Sequence, residues 1–213
     1  MKRSVVLLCT LLLVLPACRW LGVRGNGNII TDQRSIEDFS ELHVSGSFDV
    51  EWRTGTPGLA ITTDQNLLSY IKVELQGNSL RIRTRERILP THGLKVVATS
   101  SKRTGAKLTG ASDLTAHDLT GDSFAVETTG AAEVKLDGNV GELLAEMTGA
   151  SELSAKKLQT RTAEVSTTGA ASADVSVSEN LKVSITGAGE VIYHGNPVVT
   201  KHVTGAGEVR RKD

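Results

Sequence analysis

An acidic residue stands three places after the glycine of a Thr-Gly-Ala tripeptide at Asp113, Glu133, Glu152, Glu190 and Glu208. Carboxylates repeated at a fixed offset either gather on a cation or basic partner, or keep a repetitive surface charged and soluble. Ca²⁺ takes roughly six to eight oxygen ligands, and single carboxylates set one repeat apart supply few per ion. The column therefore reads as solvated charge, with weak Ca²⁺ binding as the functional alternative. In the one copy without an acid at that place, Asp174 follows two residues later. The histidines His43, His92, His117, His194 and His202 lack the spacing of a zinc site or a catalytic triad. His117 and Asp118 are neighbours in the chain, where side chains diverge. No catalytic residue, metal site or cofactor is expected, and the chain reads as a non-enzyme.

Cysteine chemistry points elsewhere. Only Cys9 and Cys18 are present. Lys2 and Arg3 precede an apolar run, Val5–Val14, and then Leu15-Pro16-Ala17-Cys18. Such a run is too short to span a bilayer but suits an export signal. The ending resembles a lipobox, which implies cleavage after residue 17 and a lipid on Cys18. The mature chain then holds no thiol for a disulfide, a metal or a nucleophile. Arg19, where an inner-membrane retention signal would have Asp, points to the outer membrane. Lysine plus arginine total 24 and aspartate plus glutamate total 24, so no basic excess suggests nucleic acid.

The acids belong to a repeat. Gly110, Gly130, Gly149, Gly169, Gly187 and Gly205 lie 20, 19, 20, 18 and 18 residues apart, each between Thr and Ala. Two, four and six places before these glycines the residues are mostly apolar, as at Phe124, Val126 and Thr128 or Leu181, Val183 and Ile185. Four places after come Leu114, Val134, Leu153, Val191 and Val209, while in the fourth copy Val175 arrives two residues late. Alternation with β-branched residues predicts half-buried strands joined by a tight glycine turn. Alone, one unit cannot bury its apolar face; stacked, it can. The prediction is an all-β, single-stranded, right-handed parallel β-helix, a β-solenoid with about 18–20 residues per rung and six regular rungs. The acids, at odd offsets, face outward. Ile185, Val191, Pro197, Val203 and Val209 also fall every six residues, as in a left-handed hexapeptide helix, but the earlier 19- and 20-residue rungs break that register.

Residues 18–27 read as a lipidated tether, 28–93 as a less regular β region, 94–209 as the solenoid and 210–213 as a basic tail that blunts the open end or frays. Asp64 is expected to cap one helical turn, and Gly77-Asn78 to turn a hairpin. "GNGNIIT" (Gly25–Thr31), "FSELHVSGSFDVEW" (Phe39–Trp52), "ITTDQNLL" (Ile61–Leu68) and the Thr-Gly-Ala corners resemble the bacterial family called putative auto-transporter adhesin, head GIN domain. The resemblance covers about residues 25–209. It implies one continuous right-handed β-helix with no recognised catalytic residues and a role in adhesion. The expected protein is thus a non-catalytic, lipid-anchored envelope module that meets the membrane through Cys18 and an unidentified protein or cell-surface partner. Self-association stays open. The alternatives are a structural or sensing envelope lipoprotein, and a β-helix that binds or cleaves polysaccharide.

Overall fold

The computed structural model describes residues 22–213. The expected export signal and Cys18 lie outside the described residues. The chain runs through β1 (Val23–Arg24), β2 (Ile29–Arg34), β3 (Glu41–Gly46), β4 (Asp49–Thr54) and β5 (Gly58–Asp64). A 3₁₀ helix over Gln65–Tyr70 leads into β6 (Ile71–Gln76), β7 (Ser79–Thr84), β8 (Ile88–Leu89), β9 (Lys95–Ser100) and β10 (Gly105–Gly110). Thereafter it is almost continuous strand: β11 (Asp113–Gly130), β12 (Glu133–Gly149), β13 (Glu152–Gly169), β14 (Ser172–Gly187), β15 (Glu190–His194), β16 (Val198–Gly205) and β17 (Glu208–Arg211).

The strands from β10 onward coil. Each pairs in parallel with the next, and the registers place Gly110 on Gly130, Gly149, Gly169, Gly187 and Gly205 in single file. Six stacked corners bound about five turns of a β-solenoid. The glycine is demanded by contact as well as by conformation. At Gly149 φ is +113°, and a β-carbon there would lie 2.3 Å from the Gly130 carbonyl oxygen. That oxygen is already engaged, because Ala150 N donates to it at 2.9 Å.

The inward residues follow the alternation. Leu114, Val134, Leu153, Ala173 and Val191 stack after the corner, and Leu108, Thr128, Met147, Thr167 and Ile185 before it, all buried. Here the structure corrects the expectation for the fourth copy. Ala173, not Val175, holds the place four after the glycine, so the rung is not shifted; a small side chain had hidden the register. The buried hydroxyls of Thr128 and Thr167 have no hydrogen-bond partner.

Stacking begins before the repeats do. Gly46 sits in register beneath Gly110, and Asp49 beneath Asp113. The chain then leaves this layer after β4 and returns at β10. The excursion covers the N-terminal end: β7 extends β3 in parallel and β6 turns back on it, while β9 extends β4 and is followed by antiparallel β5 and β2. Gly77, with φ +62°, makes the expected hairpin turn. Trp52, fully buried, stacks on Phe39 at 5.8 Å and donates from Nε1 to the Ser100 hydroxyl at 2.9 Å. Where β4 and β11 part company past Trp52 and Ala116, the buried Arg103 bridges the two layers. It donates to the carbonyls of Trp52 at 2.9 Å and Asp118 at 2.8 Å.

Asp64 does not cap the 3₁₀ helix through its side chain. Its fully buried carboxylate instead accepts from Gly27 N at 2.7 Å, Thr91 N at 2.8 Å and the Thr91 hydroxyl at 2.8 Å. Burial pushes this carboxyl up, but those hydrogen bonds outweigh it and hold the group below the usual carboxylate range. Residues 22–27, expected as tether, are therefore docked on the body, with β1 pairing with β8 inside the segment expected as a loop.

Candidate functional site

Because successive rungs stack in register, chemistry on the outer faces is organised in columns along the axis. The acids pair from strand to strand in one column. It runs Asp49, Asp113, Glu133, Glu152, Ser172, Glu190, Glu208, each residue paired with the next. Ser172 interrupts it. Asp174 belongs to the neighbouring column, paired with Ser154 and Ile192, so it does not fill the gap. Cations of the protein's own already attend the stripe. Lys135 lies 2.5 Å from Glu133, and its ammonium is held above its usual range by Glu133 first and by Asp113 and Glu152 as well. Arg210 lies 2.5 Å from Glu190. Among the described residues no three metal-ligating side chains come together.

The flanks of the glycine column form two more. Thr109, Thr129, Thr148, Thr168, Thr186 and Thr204 stack outward and exposed, and the alanines after each glycine are exposed too. Each corner alanine from Ala111 to Ala188 ties its turn to the one before through its backbone N–H.

Two histidines have partners that local spacing did not reveal. His117 Nδ1 donates to Asp137 at 2.5 Å, and His194 Nε2 donates to Asp174 at 2.8 Å. In both pairs the partners are 20 residues apart, one rung. A search at the repeat period would have found them. Asp118 N also donates to Asp137, at 2.8 Å. Burial raises the Asp137 carboxyl, but this bond and His117 together lower it further. Asp118 itself adopts a positive φ of +54°. These pairs brace adjacent rungs at the surface.

Before the corners, the outward column reads Arg81, His43, Lys107, Glu127, Glu146. It borders two shallow hollows. One of about 300 Å³ is lined by His43, Arg81, Arg83 and Lys107. The other, of about 410 Å³, has Gly105, Ala125 and Leu144 in its lining.

Stacked corners of this kind, preceded by an antiparallel cap, match a known family. The profile of the putative auto-transporter adhesin, head GIN domain, matches residues 38–197. This chain belongs to that family. Among solved structures it is similar to a "putative adhesin" from Bacteroides fragilis, at 19% identity and a TM-score of 0.75, covering 90% of this chain and 100% of that one. It is also similar to a "putative lipid binding protein" from Parabacteroides distasonis, at 21% identity and a TM-score of 0.58, covering 91% and 100% of the two chains. A "putative adhesin" from Parabacteroides merdae gives 23% identity and a TM-score of 0.55, covering 90% and 99%. At these identities the likeness is one of fold. No curated protein matches the chain. Family and neighbours are consistent with an adhesin-like module.

Proposed function

We propose that the chain is a non-catalytic contact module, held in the bacterial envelope by a lipid on Cys18, whose outer faces meet another protein or a cell surface. The observation that carries this reading is the arrangement of the polar side chains. They recur in straight columns along the axis, from Asp49 to Glu208 in the acidic one. Catalysis needs groups converging on one reacting atom; a contact surface needs many groups presented in a plane.

The anchor fits the same picture. Three residues separate Cys18 from Gly22, where the docked segment begins, and the four steps between them span at most about 14 Å. A lipid on Cys18 would hold the capped end of the coil close to the bilayer. The sheet that runs from β6 to β16 has nine strands, so at about 4.8 Å per layer the coil extends roughly 38 Å beyond its first strand.

Three measurements test the proposal together. Cells expressing the full chain should incorporate labelled palmitate, and a Cys18→Ala variant should not. Protease treatment of intact cells should then cleave the protein, and its deletion should reduce adherence. Protection from protease together with unchanged adherence would overturn the surface-contact role.

A further inference from the structure

We propose that Arg81, His43 and Lys107, on the outer face of the first sheet, form a binding site for the carboxylate of an acidic sugar. Parallel pairing of β7, β3 and β10 sets the three one above another on adjacent strands, roughly 4.8 Å apart. The two hollows beside them adjoin at His43 and Lys107.

Each of three neighbouring acids has a partner, two of them within the cluster itself. Glu74 faces Arg81 across the hairpin, but its oxygens lie 2.6 Å from Lys72 and 3.5 Å from Arg83. Glu41 accepts from the Ser79 hydroxyl and stands 3.8 Å from His43. Glu127 lies 2.5 Å from Lys107. Among the described residues no ion pair engages Arg81. His43 reports the resulting field. Burial first, then Arg81 and Lys107, outweigh Glu41 and Glu127 and hold the imidazole below its usual range. Arg81 and Lys107 thus flank His43 on the two neighbouring strands, with acids around them.

The shape selects the ligand. A guanidinium fork matches a carboxylate in two parallel hydrogen bonds. With Glu41, Glu127 and Glu146 at the rim, a monoanion meets less repulsion than a phosphate dianion. The adjoining hollow is lined by the small residues Gly105, Ala106 and Ala125 and by an exposed Leu144. This shelf can seat the aliphatic face of one sugar ring, with Thr104 and Glu146 at the rim for hydroxyl groups. A peptide strand is disfavoured, because β3 and β10 are paired on both sides and offer no free edge.

Binding and protonation are linked. The groups facing His43 are Glu41 on its own strand, Arg81 from β7, Lys107 from β10 and Glu127 from β11. A carboxylate beside His43 favours its charged form, so affinity rises as pH falls through the His43 midpoint, and binding raises that midpoint.

The test follows the His43 ring proton by NMR in the full chain, assigned with His43→Gln, during pH titration with glucuronate, inorganic phosphate or chloride at equal ionic strength. Glucuronate should raise the His43 midpoint by roughly half a unit or more and leave those of His117 and His194 in place. Arg81→Met should abolish the shift while keeping the thermal midpoint, and Lys107→Met should reduce it. An absent shift, an equal shift with phosphate or chloride, or an undiminished shift in Arg81→Met would each overturn the assignment. The site stands on its own geometry, so its failure would leave the adhesive role untouched.

Discussion

Replacing Gly149 by alanine tests the stacking directly. The added β-carbon would lie 2.3 Å from the Gly130 carbonyl oxygen and 3.1 Å from its carbon, about 1 Å short of ordinary contact. Neither layer can yield freely. The Gly130 oxygen accepts from Ala150 N, and moving it apart gives up that bond, at about 1 kcal/mol. Holding alanine at a φ of +113° adds about 1–3 kcal/mol. The sum is about 2–4 kcal/mol, which lowers the thermal midpoint of a chain this long by roughly 4–16 °C. Gly121→Ala is the control. Its φ is +141°, but nothing lies within 4 Å of the added carbon, so only the conformational cost of about 1–3 kcal/mol applies. Urea titration followed by circular dichroism and by the fluorescence of buried Trp52 measures both. Equal losses in the two variants would refute the claim that close approach of successive turns is what requires glycine at the corner.

Thr167→Val keeps the shape of a buried side chain while removing a hydroxyl without a partner, and should stabilise the protein by about 1 kcal/mol in the same titration. Arg103→Met leaves the carbonyls of Trp52 and Asp118 without their donor, and should cost about 2–4 kcal/mol of unfolding free energy. Asp64 has a depressed folded pKa against about 3.9 when unfolded. Its contribution is therefore complete above about pH 4 and lost as pH falls through the folded value. Thermal midpoints measured down through the carboxylate range should show that loss in the wild type and a flatter profile in Asp64→Asn. The same variant should also expose residues 22–28 to limited proteolysis.

The solenoid was legible because its signal is repeated. Thr-Gly-Ala recurs since every turn meets the same contact at its corner, and a steric demand met six times leaves an unmistakable spacing. Features that occur once were harder to see. Ala173 fills an inward place with so little side chain that Val175 drew attention instead. Asp64, ahead of a short helical segment, looked like a cap; its true partners are Gly27 and Thr91, far off in the chain and brought close by antiparallel pairing. Arg103 sits among polar residues that give no sign of its burial, which follows from the divergence of β4 from β11. The His117–Asp137 and His194–Asp174 pairs fall between: each is separated by one rung, so they were written in the sequence at a period that local motifs do not sample.

The direct contact of Gly46 with Gly110, with most of the N-terminal cap strung between them, has a consequence for how such a molecule varies. Alignment of one coil on the next is enforced at the corner itself, so it is indifferent to how much polypeptide intervenes. Foreign sequence spliced between two corners should be carried as a side branch while the trunk keeps its pitch. In that sense the trunk is a ruler with interchangeable markings, ready to carry epitopes at fixed intervals.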